Sequence, residues 1–117
     1  MVLVVEDERA IAGFVAEVVA DAGYLPMVAA NGNEALKQAR EQWPDLVLTD
    51  LMMPHLDGAG LVRALRLEAT ARGVSMPPVV LMTTASPPNA QAAGADAFLR
   101  KPFHLTELEA LLRCYLG

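Results

Sequence analysis

The sequence predicts an α/β domain built on a parallel sheet with helices on both faces. Three observations predict it. Short apolar runs without polar alternation, such as MVLVV at 1–5 and LVLT at 46–49, read as strands buried on both sides. Between such runs, apolar residues recur at i, i+3, i+4 and i+7, the mark of a helix with one buried stripe. The two periods alternate as β-α repeated five times, which requires crossover connections and hence parallel strands. At 117 residues the chain suits one domain, 1–117, and at 54% hydrophobic it can fill a core.

Met1 to Val5 is the first strand. Ile11, Phe14, Val15, Val18 and Val19 form one helix face, which Gly23 ends. Residues 25–29 read as a short second strand. NGNEALKQAREQW reads as a helix opened by Asn31 or Asn33, with Leu36, Ala39 and Trp43 inward and Pro44 after it. Leu46 to Thr49 is the third strand, and Asp57-Gly58 starts a third helix marked by Leu61, Val62 and Leu65. Val79 to Met82 is the fourth strand and Ala97 to Leu99 a short fifth. Thr106 and Glu109 match a capping box for the last helix, which carries Leu108, Leu111, Leu112, Tyr115 and Leu116. Residues 84–96, TASPPNAQAAGAD, leave little room for a full fourth helix, so one or two turns or a loop are expected there.

Net charge is −5, with 14 acids against 9 bases, which argues against nonspecific nucleic-acid binding. No apolar run approaches a membrane span, and Glu6 and Asp7 come too early for a secretory signal. The single cysteine, Cys114, fits a reducing compartment, the cytoplasm, and its leucine neighbours predict buried packing. His55 and His104 have no partner at zinc-ligand spacing and read as surface residues.

In an open parallel sheet, sites form beyond the carboxyl ends of the strands. Glu6, Asp7 and Glu8 follow strand one, Asp50 ends strand three, Thr83 and Thr84 end strand four, and Arg100 and Lys101 follow strand five. Close carboxylates repel by roughly 4 kcal/mol per pair at an effective dielectric near 20, so such a cluster takes up protons or binds a cation. An all-oxygen site suits Mg²⁺. An adjacent lysine and hydroxyl suit a phosphoryl group, for which an aspartate can be the nucleophile.

With these residues in view, the chain resembles the receiver domains of two-component response regulators, of the chemotaxis-regulator kind. VVEDE matches the acidic pair, PDLVLTDLMMPHLDG the phosphoacceptor segment, PVVLMTTA the fourth strand with its hydroxyl, and FLRKPF the lysine–proline segment. The resemblance spans essentially the whole chain. It implies a three-layer, flavodoxin-like (βα)5 sandwich with strand order 2-1-3-4-5 and, here, a short or irregular fourth helix. It implies Asp50 as phosphoacceptor, Asp7 as a direct Mg²⁺ ligand with Glu6 its partner through water, and the Met52 backbone carbonyl as a further ligand. Lys101 is the implied phosphate counter-ion, Thr83 (runner-up Thr84) the switch hydroxyl and Phe98 the switch aromatic, which also packs in the core. The Lys101-Pro102 bond is usually cis in the family.

The implied function is a phospho-accepting switch rather than an ordinary enzyme, one that assists its own phosphorylation and dephosphorylation. Its implied partners are a sensor histidine kinase or histidine phosphotransfer protein, and a downstream protein or a second copy. The alternative is a receiver-like interaction domain that works without phosphorylation. An aspartyl phosphatase is disfavoured because Met52 stands where a second aspartate would act as acid and base. A nucleotide or flavin protein is disfavoured because EDERA, not a glycine-rich loop, follows strand one. No output domain is read in the sequence, so the chain is either a stand-alone receiver or part of a longer protein.

Overall fold

The computed structural model describes residues 1–53, 56–83 and 94–117. Its strands are β1 (Val2–Val5), β2 (Pro26–Ala29), β3 (Leu46–Asp50), β4 (Val79–Thr83) and β5 (Ala97–Arg100). They form one parallel sheet in the order β2-β1-β3-β4-β5. Among the described residues there are four helices: α1 (Arg9–Asp21), α2 (Gly32–Glu41), α3 (Gly58–Arg72) and, C-terminal, α4 (Leu105–Leu116). The expected architecture and strand order are those observed. The expectation for a curtailed helix at 84–96 falls mostly outside the described residues, as do Thr84 and His55.

Two apolar layers hold the sheet. On one face Val15, Val18 and Val19 of α1 and Leu108 and Leu112 of α4 pack on Val2, Val4, Leu46, Leu48 and Val80. On the other, Ala35 and Ala39 of α2 and Leu61, Val62 and Leu65 of α3 pack on Leu3, Val5, Val47 and Val79. β1, β3 and β4 are buried throughout, which is why their sequences show no polar alternation. Asn31 accepts a hydrogen bond from the Glu34 N–H (2.9 Å) and Asp57 one from the Gly60 N–H (2.8 Å), so both act as N-caps. Gly73, at φ 68°, closes α3 in a left-handed conformation.

The structure corrects four expectations. The last helix starts two residues earlier than Thr106: His104 is its N-cap, and the Glu107 carboxylate accepts the His104 N–H at 3.0 Å. The same three-residue spacing fits two residues upstream because the closure uses the N-cap backbone, which any residue supplies. Cys114 is exposed, since the buried stripe of α4 runs through Leu108 and Leu112. Phe14 is 42% exposed at the margin of the α1 stripe, where its ring lies 6.3 Å from that of Phe103. Phe98 is exposed rather than core, because β5 is an edge strand and Leu99 takes its inward position. No helix among the described residues is long and apolar enough to cross a membrane.

Candidate metal and phosphoryl site

Parallel register decides which strand-end residues meet. Val5 lies opposite Thr49, Asp50 opposite Met82, and Thr83 opposite Arg100. Glu6, Asp50, Thr83 and Lys101 therefore come off neighbouring strands at one edge of the sheet. Carboxylate oxygens of Glu6, Asp7 and Asp50 lie within 4.8 Å of one another. Lys101 reaches into the same cluster, its Nζ donating to Glu6 Oε1 at 2.6 Å and pairing with Asp50 Oδ1 at 2.9 Å.

Glu6 is 2% exposed and Asp50 8%, so their pairing with an ammonium is what makes their burial tolerable. The second oxygen of Glu6 accepts the Glu8 N–H at 3.3 Å. Glu8, not Asp7, is the N-cap of α1, and its side chain caps nothing. Asp7 is thus exposed with no capping role, its carboxylate directed to the cluster. For Lys101, partial burial pulls the pKa down, but the hydrogen bonds to Glu6 and Asp50 and their charges outweigh it, and the ammonium is held above its usual value.

The backbone around the acceptor position is closely fixed. The Lys101 N–H donates to the Thr83 carbonyl (2.9 Å) and the Leu51 N–H to the Met82 carbonyl (3.3 Å). The Thr49 hydroxyl donates to the Asp50 carbonyl at 3.0 Å. A Cβ at Gly58 would sit 2.5 Å from that same carbonyl, so only glycine lets α3 start this close to β3. The Lys101-Pro102 peptide is cis, as expected.

A hollow of about 210 Å³ opens over the cluster, lined by Glu8, Ile11, Asp50, Met52, Thr83 and Lys101. Of the residues singled out by sequence, Glu6, Asp7, Asp50 and Lys101 meet directly, and Met52 and Thr83 line the hollow. Met52 is 75% exposed. Phe98 lies outside the hollow, opposite Leu81 on β5. Ile11 was not anticipated at the site. Its place four residues after Asp7, on the first turn of α1, is the signal that could have located it. Beside the hollow runs an apolar groove of about 460 Å³ lined by Ala10, Ile11, Phe14, Lys101, Pro102 and Phe103, so Ile11 and Lys101 belong to both.

The donor set is all oxygen. Counted by formal charge, three carboxylates and one ammonium leave two negative charges, which a hard divalent cation would balance.

The family model described as "Response regulator receiver domain" matches residues 2–113. The chain is 36% identical to "Probable transcriptional regulator ycf27" of Porphyridium aerugineum, over 98% of this chain and 47% of that protein. It is 34% identical to the phosphate regulon transcriptional regulatory protein PhoB of Escherichia coli, over 98% of this chain and 51% of that one. The chain thus spans about half the length of the curated relatives it matches. Among solved structures, chemotaxis protein CheY4 of Vibrio cholerae superposes with a TM-score of 0.87 at 34% identity, covering 98% of this chain and 97% of that one.

Proposed function

Since the chain belongs to the response regulator receiver domain family, we propose that it is a phosphorylation-controlled signalling switch whose acceptor is Asp50. The observation that carries this reading is the Lys101 ammonium bridging Glu6 and Asp50, with Asp7 alongside, at the mouth of an open hollow. A structural ion pair needs neither a third carboxylate nor the opening.

In this reading a sensor histidine kinase or histidine phosphotransfer protein presents a phosphorylated imidazole. An Asp50 carboxylate oxygen bonds to phosphorus as the P–N bond breaks; the leaving nitrogen keeps the electron pair and takes a proton. Asp50 then carries a phosphoryl group, and Lys101 shifts its pairing to the phosphoryl oxygens. Thr83, already lining the hollow, hydrogen-bonds that group (Thr84 being the alternative), and Phe98 repacks at the β5 edge, biasing a protein-binding surface. That surface meets a downstream protein or a second copy. Glu6, Asp7, Asp50 and the Met52 carbonyl would hold Mg²⁺, which when bound supplies positive charge against the transferring group. The groove that shares Ile11 and Lys101 with the hollow supports a protein, rather than a small molecule alone, as the physiological donor. The cytoplasm is the compartment this reading requires.

The test is intact-protein mass after incubation with acetyl phosphate, with and without Mg²⁺, for wild type and Asp50→Asn. The expected result is one added phosphoryl group, dependent on Mg²⁺ and absent from the variant. No addition from acetyl phosphate or from a phosphohistidine donor would instead favour an interaction domain that works without phosphorylation.

A further inference from the structure

The segment between β3 and α3 carries Met52 over the hollow, and it is tied down at both ends. Leu51 is nearly buried against Leu81. The Gly58 N–H donates to the Leu51 carbonyl at 2.9 Å, so the segment returns to its own starting point. These two ties hold Leu51 and Gly58, and a third contact holds Leu56. Leu56, half-buried against the core, occupies a seat formed by the first residue of α2 and the first turn of α3. A Cβ at Gly32 would run into the Leu56 carbonyl and lie 2.9 Å from its Cβ. A Cβ at Gly60 would lie 2.6 Å from Leu56 Cδ1. Both helices therefore carry no side chain where Leu56 sits, and a side chain at either position would displace it.

We infer that Leu56, seated between Gly32 and Gly60, is a positioning residue that sets the register of the β3–α3 segment and thereby the affinity of the carboxylate pocket for Mg²⁺. It touches neither ion nor phosphoryl group. It acts through the backbone that presents Met52, as outer-shell supports do at other metal sites. The inference rests on reading the pocket as a Mg²⁺ site, and the experiment separates the two.

Mg²⁺ binding is measured directly by calorimetric titration, beside acetyl-phosphate phosphorylation rates across Mg²⁺ concentrations. Leu56→Ala is expected to stay folded by circular dichroism and to bind Mg²⁺ about tenfold or more weakly. Its phosphorylation should be slow at limiting Mg²⁺ and return to within about twofold of wild type at saturation, a loss of binding rather than of the chemical step. Leu56→Met, which refills the seat, should restore the affinity. Gly60→Ala, which displaces Leu56 while leaving the leucine itself unsubstituted, should reproduce the defect. If Leu56→Ala does not fold, Leu56→Val carries the same test. Unchanged Mg²⁺ affinity in a folded seat variant overturns the inference while leaving the site intact. Absence of Mg²⁺ binding by wild type overturns the pocket reading and the inference together.

Discussion

Met52 stands at the rim of the hollow with 75% of its surface exposed, two residues past the proposed acceptor. A thioether is a weak acceptor and donates nothing, so it cannot orient a water for attack on an acyl phosphate. The family resemblance implies that this position, and the one two residues after the proposed switch hydroxyl, influence self-dephosphorylation. With Met52 in place the phosphorylated form should be long-lived. Met52→Asn supplies an amide that can hold a water, and one added hydrogen bond in the transition state should shorten the half-life severalfold, up to about tenfold. The decay of the phosphorylated mass after removal of acetyl phosphate measures this; a half-life unchanged or lengthened would remove Met52 from the role. At this scale the sequence was most legible where chemistry is unusual. A carboxylate such as Asp50 at the end of an apolar run is costly to bury unless a cation meets it, and Lys101, at the end of another strand, is the cation that does. It was least legible for apolar residues on outer surfaces. Phe14 and Phe98 obey the period of their elements, yet each is exposed; Met52, between β3 and α3, and Cys114, off the buried stripe of α4, are exposed as well. Periodicity reports a direction from the helix or strand axis, not whether a neighbour covers it.

The helices on the α2–α3 face are joined by one carboxylate shared between two arginines. Glu68 accepts from Arg40 at 2.8 Å across the helix pair and from Arg72 at 3.0 Å along α3. Arg72 also donates to the Arg40 carbonyl at 2.8 Å and stacks over the Trp43 ring at 5.4 Å. The hydrogen bond from Arg40, then that from Arg72, hold the Glu68 carboxyl below its ordinary value of 4.5. A carboxyl depressed on folding adds stability above its unfolded pKa and loses it as pH falls through the folded one. Glu68→Gln should therefore lower the urea midpoint at pH 7, and the gap from wild type should close as pH drops below about 4.5. A gap that persists at acid pH would mean that packing, not charge, is what the substitution removes. Nothing in the sequence pairs Arg40 with Glu68, because cross-helix contacts depend on how two amphipathic faces dock. Local signals read better: Asn31 and Asp57 cap the helices expected of them, since capping is decided within four residues. The start of α4 was displaced because two candidate boxes, His104 with Glu107 and Thr106 with Glu109, share one spacing.

At the scale of the whole molecule, the pocket exists only when the sheet is complete. Lys101 and Glu6 are 95 positions apart in sequence, and the order β2-β1-β3-β4-β5 brings their strand ends to one edge. An unfolded chain has no such arrangement, so an ion held there binds the native state alone and must stabilise it. The same cluster without an ion keeps three carboxylates against one ammonium, a standing repulsion. Wild type should therefore gain about 1.4 kcal/mol in unfolding free energy at a Mg²⁺ concentration ten times its Kd, relative to NaCl of equal ionic strength. Asp7→Ala removes the exposed member of the cluster and should bind no Mg²⁺, so its stability should not respond to the ion. Without Mg²⁺ it should be at least as stable as wild type, because one repulsive partner is gone. Urea unfolding of both proteins in matched salts decides this. A Mg²⁺ response retained in full by Asp7→Ala would place the ion away from the carboxylate cluster. A response lost together with stability in the absence of Mg²⁺ would make Asp7 a structural residue. Only a lost response with stability kept or raised fits a fold that holds like charges together for the sake of an ion and a phosphoryl group.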